Sequence, residues 1–493
     1  MRASHATFPL TYQLSFHEKT DWSSFYATGA EIRAYLESVV DKYNLRPFIQ
    51  LEHRLTSAIY SEATGKWNLS IQRPNKNREV EEFEDSADVL FTGMGSLSRW
   101  KWPDIKGIDN FTGKLVHSAK WETGEGDSNS PWEDTVRSWK DKRVGVVGVG
   151  SSAIQIVAAL QPKVKQLCNY VRGKTWIASP FLGDRAETFG MGKEESNFAK
   201  LILLQSIHVV TLRGHPVQEG GRAAFKEEML RRLASKPEIA EHLIPDFAIG
   251  CRRLTPGPGY LEALCQDNVD FIATEVKQIS PTGIETVDGK FNELDVIDST
   301  RPTNWAFPSS GRGGVKLSDK YKPHPKLYLS VALDGFPNWF QSLGPNSAVG
   351  SGSLLIVIER QVDYAVQATL KLQREHLKSM EVKPEAVEDW DVYIEHHFAK
   401  TVFSERCRSW YKQGQEEGRV VALWPGSCLH AARALEHPRW EDYNYEPLDG
   451  HTNRFFWAGN GTTVAEETPG ADRAWYLSEV DYPPVTPTPV PLH

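Results

Sequence analysis

RVGVVGVGSSAIQIVAAL, residues 143–160, is the stretch on which the fold turns. A short β-branched run, Val144, Val146 and Val147, leads into Gly148-Val149-Gly150-Ser151-Ser152-Ala153. The apolar residues Ile154, Ile156, Val157 and Leu160 follow at helical spacing. The order is strand, glycine turn, helix. Gly148 permits the tight turn, Gly150 leaves room for a pyrophosphate against the backbone, and Ala153 lets the helix lie close to the strand. The helix N-terminus offers free N–H groups and the positive end of a dipole to phosphate. GxGxxA alone is a weak pattern, but a strand before it and a helix after it make it a dinucleotide-binding turn.

The next predicted strand, residues 166–171, refines the ligand. An NAD site needs a carboxylate near the end of this strand for the ribose 2′-hydroxyl. Arg172 and Lys174 stand there instead, and they suit a 2′-phosphate. As ordinary loop residues the same two cations would simply be solvated. The cofactor-binding set read from the sequence is Gly148, Gly150, Ser151, Ser152, Ala153, Arg172 and Lys174.

A length of 493 residues predicts roughly two to four domains with ample core. The net charge of −8 favours neither nucleic acid nor an anionic membrane. Five cysteines without paired spacing read as reduced thiols of a cytoplasmic protein. No CxxC or HExxH occurs, so no metal site is expected. The N-terminus has no signal-peptide pattern, and the greasiest run, residues 201–210, is too short and polar to span a bilayer.

Outward from the glycine turn, Ile32, Tyr35, Leu36, Val39, Val40 and Tyr43 predict an amphipathic helix. Residues 47–92 alternate and carry turn signals, which predicts an antiparallel meander. Residues 190–248 are helix-rich, and short strands return at 269–273, 277–279, 283–286 and 294–299. A second glycine-rich loop, 343–353, enters a helix that runs from Leu354 to Leu372. Further helices are expected at about 384–400 and near 471–479. The proline-rich end, 481–493, is expected to be extended or disordered.

Residues 111–121, FTGKLVHSAKW, fit the fingerprint FxGxxxHxxxW. With it the chain resembles the flavin-dependent Baeyer–Villiger monooxygenases, in particular fungal steroid-monooxygenase-like members. The resemblance covers roughly residues 9–480. It implies an α/β fold in which an NADP-type Rossmann-like domain is inserted in a remnant FAD-type domain, with an added helical subdomain. On that basis residues 1–140 are the FAD-type remnant with its linker, and 141–290 the NADP-type domain with a helical insertion at about 185–250. Residues 291–480 are the C-terminal part of the FAD-type domain. Arg252 and Arg253 match the family's basic pair. The resemblance implies that Arg252 contacts the NADPH phosphate and that Arg253 steadies negative charge developing on the flavin. His117 reads as a hydrogen-bonded structural histidine.

The chain also departs from the family. Its first 140 residues hold no GxGxxG for the FAD pyrophosphate. The active-site aspartate before YQLSF (residues 12–16) has no equivalent, with Ala6 nearest. Where the family reads CATGFD, this chain has Asp298-Ser299-Thr300-Arg301-Pro302-Thr303, filling a space that glycine would leave open. It therefore resembles an N-terminally truncated member. These departures predict a repurposed enzyme of fungal-type specialised metabolism. It would need no cofactor, NADP(H) binding would be vestigial, and it would catalyse a cyclisation or isomerisation of an apolar terpenoid or polyketide intermediate. A pericyclic, Diels–Alder-type step would fit, driven by near-attack positioning. Arg253, His208, Tyr260 and Trp410 are the expected catalytic donors. The alternatives are an NADPH- and FAD-dependent Baeyer–Villiger monooxygenase and a non-catalytic partner of a longer paralogue. An uncovered sheet edge would favour a homodimer.

Overall fold

The β-branched run before the glycine turn becomes the strand Arg143–Val147, in the middle of a five-stranded parallel sheet. The order is Val269–Ile272, Gln166–Tyr170, Arg143–Val147, Val296–Ser299, Lys114–His117. Every pairing is parallel. Parallel strands are covered on both faces, which is why they read as nearly continuous apolar runs. The helix Ser151–Leu160 covers one face and buries Ala153, Ile154, Ile156, Val157 and Leu160. Met229 of the helix Pro216–Arg232 and Leu261 of the helix Tyr260–Leu264 join the same core. Two strands of this sheet, Lys114–His117 and Val296–Ser299, lie outside the expected 141–290 span. They are short, and only their hydrogen bonding to the glycine-turn strand and to each other reveals the membership.

This is a computed structural model, and it describes residues 13–19, 21–23, 27–95, 100–122, 131–178, 207–299, 308–350, 352–448, 453 and 455–477. The predicted meander forms as Arg54–Ser61, Lys66–Pro74 and Val80–Ala87, antiparallel throughout. Ser309–Ser310 adds to its edge in parallel. Trp67, fully buried, stacks on Phe336 and meets Trp339 edge to face. Its indole N–H donates to the carbonyl of Pro337 at 2.9 Å. Next to this core the short strands Leu90–Thr92 and Trp339–Gln341 pair in parallel. The long helix Leu354–Arg374 packs behind them, with Val357, Gln361 and Tyr364 buried.

Two expectations need correction. The cysteines are not all reduced, because Cys251 and Cys407 form a disulfide. They lie 156 residues apart in sequence, so spacing could not pair them. Cys168, Cys265 and Cys428 are free. The helix expected near 471–479 is instead a short helix, Val464–Glu467, followed by the single turn Trp475–Leu477. Gly470, at φ +78°, separates the two. Ala6, Arg301, Pro302, residues 185–206 of the helical insertion and the tail 481–493 lie outside the described residues. Among those described, no helix is long and apolar enough to cross a membrane, and no His, Cys, Asp and Glu group could hold a metal ion.

Candidate functional site

The glycine turn is held from beneath by a buried polar residue. Asn169 Nδ2 donates to the carbonyls of Val146 at 3.1 Å and Gly148 at 3.0 Å. Asn169 Oδ1 accepts the hydroxyl of Tyr260 at 2.9 Å. The N–H of Gly148 donates to the Tyr170 carbonyl at 2.9 Å. Gly148 sits at φ +130°, where a side chain would strain the backbone. Gly150 is the N-cap of the helix Ser151–Leu160, and no side chain caps it. A Cβ built on Gly150 meets no described atom within 4 Å. The backbone therefore faces open space, with first-turn N–H groups free to take an anion. Ser151 Oγ lies 2.6 Å from Thr255 Oγ1, which ties the loop after residue 250 to the turn. Ser152 is half-buried, and Ala153 is wholly buried against the sheet.

At the end of the second strand, positive charge collects. Arg252 Nη1 donates to the Lys174 carbonyl at 2.6 Å. A Cβ at Gly173 would stand 3.5 Å from that Nη1, in ordinary van der Waals contact. Lys174 Nζ is 3.9 Å from Asp246 Oδ2, and Arg172 is exposed. Burial lowers the Arg252 pKa, and the positive charge of Arg408 lowers it further. This arrangement fits NADP: the turn is an open cradle for pyrophosphate, and the cations suit a 2′-phosphate.

Of the four expected catalytic donors, Arg253 and Trp410 share a neighbour, Tyr411, while Tyr260 and His208 engage other partners. Tyr260 has no exposure, and its hydroxyl is engaged by Asn169, so it braces the turn. The ring of His208 stacks on His397 with centroids 6.2 Å apart. Burial first, then His430, lowers the His208 pKa. Trp410 packs on Tyr411 at 4.7 Å. Arg253 is exposed and its charge bears on the same Tyr411, whose hydroxyl burial pushes up to about 12. His117 is buried, stacks on Trp100 at 4.5 Å, and accepts the Ala119 N–H at 3.1 Å through Nδ1, as a structural histidine would. Sequence reasoning missed Asn169, Thr255 and Arg408. A polar residue inside the apolar strand QLCNY was the available signal for Asn169.

Residues 12–191 match the family described as flavin-binding monooxygenase-like. Over 492 residues the chain is 35% identical to the FAD-binding monooxygenase tazF of Aspergillus terreus, covering 95% of this chain and 84% of that protein. The chain belongs to the flavin-binding monooxygenase family. Another member, a Baeyer–Villiger monooxygenase of Pseudomonas aeruginosa, is 31% identical over 84% of this chain and 77% of its own. The fold of this monooxygenase-family chain is that of a steroid monooxygenase solved with NADP, at 25% identity and TM-score 0.73, covering 90% of this chain and 91% of the other. Membership overturns the expectation that no cofactor is needed, since relatives over nearly the whole chain are FAD-binding monooxygenases.

The described residues also bear on FAD. At the carboxyl ends of Leu90–Thr92 and Trp339–Gln341, Thr92 Oγ1 and Gln361 Nε2 are buried without a described partner. They belong to one network: Ser342 N–H donates to the Thr92 carbonyl at 2.8 Å, and Ser342 Oγ donates to Gln361 Oε1 at 2.9 Å. Orphaned polar atoms at strand ends in an α/β fold fit a polar ligand there. The Gly148–Ala153 turn has the form of a pyrophosphate cradle, and the cations beside it fit NADP.

Proposed function

We propose that this chain is an NADPH- and FAD-dependent Baeyer–Villiger monooxygenase, inserting oxygen next to the carbonyl of an apolar ketone in fungal specialised metabolism. The observation that carries this reading is the open glycine turn with Arg172, Lys174 and Arg252 gathered beside it, in a chain of this family. Relatives from Aspergillus terreus and Emericella nidulans support the metabolic setting. When bound, NADPH supplies the hydride and FAD the oxygen chemistry.

The chain's own residues bind and orient. The N–H groups at the start of Ser151–Leu160 take the pyrophosphate, and the cations take the 2′-phosphate. Arg253 is exposed on the loop that Thr255 anchors to the turn, where it would supply a cation to negative charge developing on bound flavin. Thr92 and Gln361 would hold the flavin side. The adjoining loop is rigid there, because Asn346 Nδ2 donates to the carbonyls of Val420 at 2.9 Å and Leu423 at 3.0 Å.

The test is a visible spectrum after incubation with FAD and desalting. A retained flavin band that bleaches with NADPH, and lactone or ester formation from a ketone, is the expected result. A colourless protein unchanged by NADPH would overturn the reading.

A further inference from the structure

The disulfide joins two loops that each carry an arginine next to the cysteine. Cys251 precedes Arg252, and Cys407 precedes Arg408. Both cysteines are buried, with Cα atoms 6.4 Å apart. The second loop is held in shape by its own backbone: Cys407 N–H donates to the Glu416 carbonyl at 3.2 Å and Ser409 N–H to the Gln415 carbonyl at 3.3 Å. Arg408 itself is loosely paired, with Nη2 3.9 Å from Glu416 Oε1 and more than half of its side chain exposed. Its charge bears on the half-buried Arg252 guanidinium.

A covalent link that gathers like charges is unfavourable unless an anion sits between them. Arg252 is already fixed against Lys174, at the end of the strand where a dinucleotide's ribose lies. We propose that Arg408 is a specificity-determining residue of this dinucleotide site, placed beside Arg252 by the Cys251–Cys407 disulfide so that both guanidinium groups meet the 2′-phosphate. The inference rests on the NADPH reading and deepens it. Arg408 touches the part of the ligand that distinguishes NADPH from NADH. The disulfide positions it, so the cofactor preference answers to the redox state of one cysteine pair.

The test is calorimetric binding of adenosine 2′,5′-bisphosphate and of adenosine 5′-monophosphate, which needs no turnover. The unaltered protein is expected to prefer the bisphosphate. Arg408→Ala is expected to cut that preference roughly tenfold, the scale of one charge-assisted hydrogen bond, with monophosphate binding unchanged. Cys407→Ser keeps Arg408 but unties it, and is expected to lose the same preference. Dithiothreitol treatment of the unaltered protein makes the same comparison without a substitution. Equal binding of the two nucleotides by the unaltered protein overturns the NADPH reading and this inference together. A preference retained in full by Arg408→Ala overturns this inference alone. One retained in both Cys407→Ser and the reduced protein overturns the role of the disulfide.

Discussion

The hydroxyl of Tyr260 donates to Asn169 Oδ1 at 2.9 Å, in a contact closed to solvent on both sides. Asn169 passes the constraint on by holding the carbonyls of Val146 and Gly148. The glycine turn is thus braced by a tyrosine from a helix far downstream, the bonded pair standing 91 positions apart in sequence.

Tyr260→Phe leaves that oxygen buried and unpaired. The expected loss is about 1–3 kcal/mol of stability, the cost of an unsatisfied buried acceptor. Urea unfolding measures it. Weaker binding of adenosine 2′,5′-bisphosphate should accompany the loss, because the turn loses its support.

Gly150→Val separates binding from folding. A Cβ at this position enters open space and the backbone is extended, so stability should change by less than about 1 kcal/mol. The added side chain fills the place where phosphate approaches the backbone, so NADP+ affinity should fall at least about tenfold. Titration by calorimetry, beside a thermal melt, reads both effects.

Thr92→Val should have opposite effects on the two states. The hydroxyl is buried without a described partner. Replacing it with a methyl group should raise stability without flavin by about 1 kcal/mol. If the hydroxyl faces the flavin, FAD uptake should fall. Thermal melts without FAD and the flavin absorbance after reconstitution check the two halves.

His397 predicts an acid-sensitive contact. Burial, then the charges of His208, His430 and Lys400, lowers its pKa to about 4 from the usual 6.5. The unfolded chain takes up the proton below about 6.5, and the folded protein resists it until about 4. Stability is therefore full above this window and falls as pH drops through it. His397→Gln should flatten the dependence of the urea midpoint on pH between those values. An unchanged slope would show that the cluster is not held neutral.

Much of the fold was legible because it is local. The helix Leu354–Arg374 and the meander over residues 54–87 announced themselves by period, which depends only on neighbours along the chain. The turn at Gly148–Ala153 was legible for the same reason, since its strand, glycines and helix are contiguous. The donors were not. His208, Tyr260, Arg253 and Trp410 were chosen for their chemistry, and their surroundings, Tyr411 beside both Arg253 and Trp410, His397 beside His208 and Asn169 on Tyr260, could not be read from spacing. The absence of a second glycine motif suggested that flavin had been abandoned, whereas 35% identity to an FAD-binding relative over nearly the whole chain weighs the other way.

By itself, then, the sequence determined the strand–turn–helix around Gly148–Ala153, and the basic residues Arg172 and Lys174 that follow the next strand. These are short-range relations fixed by backbone geometry. Only the tertiary structure decided that Tyr260 and Asn169 brace the turn, that Cys251 and Cys407 bond, and that this bond joins the loops carrying Arg252 and Arg408. Each of those contacts closes a long loop of chain. The entropy of closing it is met by the whole core and not by the residues that touch, so no local pattern records it.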